Sequence, residues 1–146
     1  FLNKWRNAGK YAGDRFAPAN YGFGYLFAVT MAGQPLAWME AGGLPDEALA
    51  LGPEIGRYKE VQHDFHSGVI LPVGDEPSGR SWTGFQSLNG DRGYFIFFRE
   101  QHPDRRARIG TWLPEGATVR LTPVLGSGKA AVRKAGRRGE LEVELQ

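Results

Sequence analysis

Three histidines, several carboxylates, two glycine-rich loops and four tryptophans are the residues of this 146-residue chain whose types and spacing could do chemistry. His63 and His66 stand three apart, close enough on a helix to share a metal ion, but His102 is the only other imidazole and spacing brings no third ligand to the pair. Capping and solvating the end of that helix is the expectation for both, because the dipole there favours a protonated imidazole. No metal and no cofactor are expected. Gly74-Asp75-Glu76-Pro77-Ser78-Gly79-Arg80-Ser81 has the spacing of a phosphate-binding loop with Arg80 in place of lysine. That chemistry needs a loop that opens a helix, so that backbone N–H groups and the helix N-terminus meet the phosphate. Ser81-Trp82-Thr83-Gly84-Phe85 instead follows with a strand pattern, and Leu125-Gly126-Ser127-Gly128-Lys129-Ala130 lacks the first glycine and the hydroxyl residue. Both are expected to be turns.

Cleaving a glycoside takes two carboxylates facing one another across a bound sugar, roughly 5 to 9.5 Å apart. Glu40, Asp75 and Glu76 lie near apolar or glycine-rich segments, yet spacing gives none of them a partner, and no catalytic residue is assigned. Between Pro103 and Arg138, nine basic residues stand against Asp104 and Glu115, a balance that could contact an acidic polymer. Trp112 is the only aromatic platform in that stretch, so a solvated sheet face is expected there and no nucleic-acid partner. Aromatic rings can stack on sugars or build cores. Tyr94, Phe95, Phe97 and Phe98 are expected to pack on the two faces of one strand, whereas periodicity alone does not place Trp38, Trp82 or Trp112.

The elements that must position these residues change character along the chain. Tyr25–Ala32 is a continuous apolar run between Gly24 and Gly33, rich in aromatic and β-branched types, which suits a strand buried on both faces; a short buried helix has the same periodicity. Leu44–Leu49 reads as a helix start, with proline and acidic residues in the first turn. From Pro53 through His66, the spacing of Ile55, Tyr58, Val61 and Phe65 predicts an amphipathic helix, with Gly68 turning the chain in a left-handed conformation behind it. Seven short segments follow: 69–73, 81–88, 94–99, 106–113, 118–125, 129–134 and 140–146. Their spacing predicts an antiparallel sandwich or barrel. Asn89-Gly90-Asp91-Arg92 joins two of them as a tight hairpin, and Leu141, Val143 and Leu145 alternate with three glutamates as a strand with one wet face does.

Composition bounds the rest. With 41% apolar and 23% charged residues the chain reads as globular, and about 68 to 70% burial at this length gives one ordinary core rather than two full domains. Its longest apolar run is too short to cross a bilayer, so no membrane partner is expected. The absence of cysteine excludes disulfides, thiolate metal sites and cysteine nucleophiles. Residues 1–91 carry seven basic and ten acidic side chains, and residues 92–146 eleven and six. The opening at Phe1, without a basic segment followed by an apolar one, reads as a cut, and a fragment is expected. The cytoplasm is the default expectation for its compartment.

Phe27-Ala28-Val29-Thr30-Met31-Ala32-Gly33-Gln34-Pro35-Leu36-Ala37-Trp38-Met39-Glu40, then Gly43-Leu44-Pro45, then Tyr58-Lys59-Glu60-Val61 and the closing Phe65-His66-Ser67-Gly68, resemble the last barrel strand and helix of α-galactosidase-like glycoside hydrolases, family 36 and its relatives. Gly79-Arg80-Ser81-Trp82-Thr83-Gly84-Phe85-Gln86-Ser87 and Gly93-Tyr94-Phe95-Ile96-Phe97-Phe98-Arg99-Glu100 resemble the first strands of their C-terminal β-sandwich. The resemblance runs from about Tyr21 to Leu125. It implies an α+β chain, mainly β: residues 1–68 end a (β/α)8 barrel, and residues 69–146 form a C-terminal antiparallel β-sandwich. In that family the catalytic pair are aspartates on earlier barrel strands, and no segment here matches their motifs, so the resemblance implies a non-catalytic, structural part of a retaining hydrolase. Active sites of such barrels lie at the C-terminal ends of the strands, which makes Met31 and Gln34 the candidates for substrate proximity. The partner implied is the missing barrel or a second copy. A stand-alone carbohydrate-binding module is the alternative.

Overall fold

The computed structural model describes residues 4, 7–36, 44–126 and 128–145. The chain divides into two compact units, Phe1–Lys59 and Glu60–Gln146.

The N-terminal unit is helical where it is described. A 3₁₀ turn at Pro18–Asn20 leads to α1 (Phe23–Thr30), and beyond residue 43 come α2 (Asp46–Leu49) and the start of α3 (Gly52–Ser67). The run expected as a buried strand is therefore a helix. An unbroken apolar octet carries no period to read, and the stripe becomes visible only when Phe23, ahead of the octet, is included: Phe23, Phe27 and Met31 recur every four residues and are buried, while Val29 is 48% exposed. Tyr58 on α3 closes this small core. Its ring stands edge-on to Phe27, centroids 5.5 Å apart, and its hydroxyl donates to the Met31 carbonyl at 3.1 Å. Lys4 tethers the entry to α1, donating to the Tyr21 carbonyl at 2.8 Å with its ammonium 4.3 Å from the Phe23 ring.

α3 follows the spacing that predicted it, since Tyr58 and Phe65 are its buried positions and Ile55 and Val61 are half-buried. Its end differs from expectation. Gly68 has no positive φ. What requires glycine there is proximity, because a Cβ would run into the Ser87 side chain and the Leu88 backbone. The division into units precedes residue 68 because the last turns of α3 are fastened to the sheet that follows. Phe65 packs near Tyr94, 5.9 Å between centroids, its carbonyl accepts from the buried Ser87 hydroxyl at 2.6 Å, and Asp64 accepts from Asn89 and Tyr94.

Seven strands, all in antiparallel pairs, make up the C-terminal unit among the described residues. β1 (Val69–Gly74), β2 (Thr83–Asn89) and β3 (Arg92–Phe98) make one three-stranded meander; β4 (Arg106–Ile109) pairs with β7 (Leu141–Glu144), and β5 (Thr118–Leu121) with β6 (Ala131–Lys134). The chain is thus mixed α and β, mainly antiparallel sheet, without a closed barrel among the described residues. In the β2–β3 hairpin Asn89 pairs with Arg92, leaving Gly90-Asp91 as the two-residue loop with Gly90 alone at positive φ, the requirement of a type II′ turn. Period two then sorts β3. Phe95 and Phe97 turn to a core of Val73, Trp82, Ile109, Leu141 and Val143, which also receives Val119 and Leu121 from β5, while Tyr94 turns to α3. Burial of each such side chain contributes about 1.5–3 kcal/mol.

Candidate functional site

An open cleft of about 420 Å³ lies within the C-terminal unit, along β4. Among the described residues β4 has a ladder partner on one side only, β7. The end of β1 reaches the other end of the cleft, where the Gly74 amide donates to the Gly110 carbonyl at 3.3 Å. Arg106 and Arg108 alternate along β4 with the core residues Ala107 and Ile109, Asp75 enters from the loop after β1, and His102 and Asp104 enter from the loop before β4. Trp82 forms part of the wall. It is 4% exposed, and its indole N–H is the one buried side-chain polar atom without a hydrogen-bond partner among the described residues.

The charges of the cleft are nearly balanced, and part of them is spoken for. Arg106 meets Glu144 across the β4–β7 pair, with both Nε and Nη2 3.0 Å from Oε2, in an ion pair that is exposed on both sides and therefore weak. Arg108 stands opposite Glu142 in the register and makes no ion pair among the described residues. His102 Nδ1 accepts the Asp104 amide at 3.1 Å, which leaves the ring proton on Nε2 in the neutral imidazole. Two carboxylates that accept, two guanidinium groups that donate and one imidazole that donates make a surface for a ligand with both kinds of hydrogen-bonding group. No group of three histidine, aspartate or glutamate side chains among the described residues is placed to hold a metal ion.

The loop with phosphate-loop spacing is a turn, and it already holds an anion of its own. Glu100 Oε2 accepts the backbone amides of Ser81 at 2.8 Å and Ser78 at 3.3 Å. The Ser81 hydroxyl donates to the Glu76 carbonyl at 2.6 Å, so in the 2.6 Å contact between the two serine hydroxyls it is Ser78 that donates. Glu100 itself sits at φ 48°, and the following amide of Gln101 closes the clasp on the Gly79 carbonyl. The second glycine-rich stretch joins β5 to β6, and its Ser127 lies outside the described residues.

Trp112 is built the opposite way from Trp82. It is 55% exposed, yet fixed: its backbone amide donates to the buried Gln86 side chain at 2.7 Å and its indole N–H to the Pro72 carbonyl at 2.9 Å. The ring is therefore a solvent-facing platform whose polar edge is already satisfied.

Other candidates scatter. Met31 is buried in the N-terminal unit and Gln34 is exposed there, both beyond the end of a helix rather than at a strand's end, whereas every residue of the cleft lies in the C-terminal unit. His63 is exposed and His66 leans on the Phe65 ring, 5.0 Å between centroids, both in the last turns of α3. Glu40 and Trp38 lie outside the described residues. Asp75 reaches the cleft and Glu76 does not. The basic residues of β5 and β6, Arg120, Arg133 and Lys134, occupy exposed strand positions. Sequence reasoning passed over Arg106, Arg108 and Asp104 as site residues; the alternation in 106–109 marks them as one face of a strand, but only the β1–β4 approach makes that face the side of a cleft.

Comparison with protein-family models, curated proteins and solved structures finds no match to the chain.

Proposed function

We propose that this chain is a non-catalytic, structural part of an α-galactosidase-like glycoside hydrolase. One observation carries the reading: the resembling stretches from Tyr58 onward fall on consecutive elements, α3 passing straight into β1 and Gly79–Ser87 lying beside Gly93–Glu100 through the paired strands β2 and β3, whereas Phe27–Thr30, read as part of the last barrel strand, is helical. On this reading the helices of the N-terminal unit belong to the closing part of the catalytic barrel, and the C-terminal unit is the accessory sandwich. Two measurements test it. The intact mass of the protein in its native source should exceed the 16.1 kDa of these residues, and the 146-residue chain should not hydrolyse an aryl α-galactoside that the larger protein does. A native mass equal to that of the chain, or turnover by the chain alone, overturns the proposal.

Trp112 favours a second reading, a carbohydrate-binding module. A sugar ring stacks on an aromatic face that is held still and open to solvent, and this indole meets both conditions. Of the two tryptophans in the C-terminal unit, Trp82 is excluded from such stacking because it is buried. Titration with galactosides should quench tryptophan fluorescence saturably, and Trp112→Ala should abolish the effect while the far-ultraviolet circular dichroism stays unchanged. Quenching that survives in Trp112→Ala, or no saturable quenching at all, rejects the platform.

A further inference from the structure

The cleft along β4 differs from the Trp112 platform in chemistry, and we infer that it binds one neutral sugar unit. Its volume of about 420 Å³ falls in the lower part of the range of small-molecule sites, roughly 300–1,000 Å³. Charge decides the class of ligand. A free anion entering the cleft meets the guanidiniums of Arg108 and Arg106, the latter shared with Glu144, but it also meets the carboxylates of Asp75 and Asp104, with Asp104 4.0 Å from His102 Nδ1. A cation meets both carboxylates but lies beside both arginines. A molecule with neighbouring hydroxyls satisfies every group at once, because each hydroxyl donates to a carboxylate and accepts from a guanidinium or from the Nε2–H of His102. Such hydrogen bonds to charged partners are the stronger kind. Trp82 is buried behind the cleft and offers no stacking face, so polar contacts carry the binding, and the edge of β4 without a ladder partner among the described residues leaves main-chain groups beside the ligand.

The inference deepens the carbohydrate-binding reading by naming a second, differently built site, and it does not depend on the hydrolase reading, whose tests are mass and turnover. The experiment is a titration of the ¹⁵N-labelled chain with methyl α-galactoside and methyl β-glucoside, with galacturonate and inorganic phosphate as the anionic arms. A neutral sugar should shift the Trp82 indole N–H and the Gly74 and Gly110 amides saturably. Arg108→Ala and Asp104→Asn, both at exposed positions, should each weaken that binding about tenfold, the effect of one lost hydrogen bond, while the Tyr94 and Ser87 amides keep their parent positions and report an intact fold. Saturation by the anions alone, no saturation by either neutral sugar, or variants that bind like the parent each overturn the inference. Shifts confined to Trp112 also overturn it, because they place the sugar on the platform instead.

Discussion

Asp64 carries more of this molecule than its place near the end of an exposed helix suggests. Tyr94 donates to its Oδ2 at 2.7 Å, Asn89 to its Oδ1 at 2.6 Å, and the Arg92 guanidinium lies 3.6 Å away, so one carboxylate joins the end of α3 to both strands of the β2–β3 hairpin. Hydrogen bonds to a charged acceptor are worth about 1.5–3 kcal/mol each. Asp64→Ala removes two such bonds and should therefore lower the urea-unfolding free energy by about 3–6 kcal/mol, less what solvent regains at this partly exposed site, with an unchanged m-value. The same bond sets a pH dependence. Donation to Asp64, with burial behind it, raises the Tyr94 hydroxyl above the ordinary phenol value of 10.0, and burial alone raises Tyr58. The native state then holds these protons more tightly than the unfolded chain, so the stabilisation is complete below pH 10 and is lost as pH rises through the native values. Alkaline titration of stability should show that decline above pH 10, and Tyr94→Phe should flatten it. A slope unchanged by the substitution would mean that the hydroxyl does not donate to Asp64 in solution.

At the scale of elements, Gly68 is where sequence and structure part instructively. A glycine behind an amphipathic helix reads as a left-handed cap, whereas here the chain leaves α3 so close to β2 that a Cβ would meet the Ser87 side chain and the Leu88 backbone. Gly68→Ala must push β1 or α3 aside and should cost about 1–3 kcal/mol, as overpacking does. A cap glycine at negative φ, with nothing near it, would tolerate alanine, so a stability equal to the parent's in urea contradicts this packing. The contrast shows what was legible. The amphipathic α3, the β2–β3 hairpin and the alternation of Leu141 and Val143 were readable because their signals are local: period 3.6, a turn dipeptide and period two. The apolar run at 25–32 was not, since uniform hydrophobicity has no period and its stripe begins at Phe23. The cleft was legible only in part. Asp75 stood out beside glycines, but Arg106 and Arg108 become neighbours of Asp75 through the approach of β1 to β4, a contact between residues more than thirty positions apart.

The whole molecule is uneven in how well it is covered. In the C-terminal unit three small sheets turn their apolar faces to one core, with Leu141 fully buried and Ile109 2% exposed. Beside the first half of α3, the N-terminal unit has α1 of eight residues and α2 of four, lengths at which a helix in water is marginal without packing. It also leaves Tyr11 and Phe16 about two-fifths exposed, Leu36 68% and Leu49 61%. Scattered apolar residues are ordinary on a surface, but five with Val29 in one small unit of short helices amount to apolar surface whose burial would add to stability. The expectation is association, with the remainder of a larger protein when that is present and with further copies of the chain when it is not. Multi-angle light scattering of the purified chain should give a mass above 16.1 kDa that rises with concentration, and a hydrophobic dye should brighten in its presence. A kosmotropic salt such as sulfate should strengthen the association, because apolar burial drives it. A monodisperse 16.1 kDa species that leaves the dye dark would mean that these side chains are covered within the chain itself, and the reading of the N-terminal unit as part of a larger barrel would lose its physical motive.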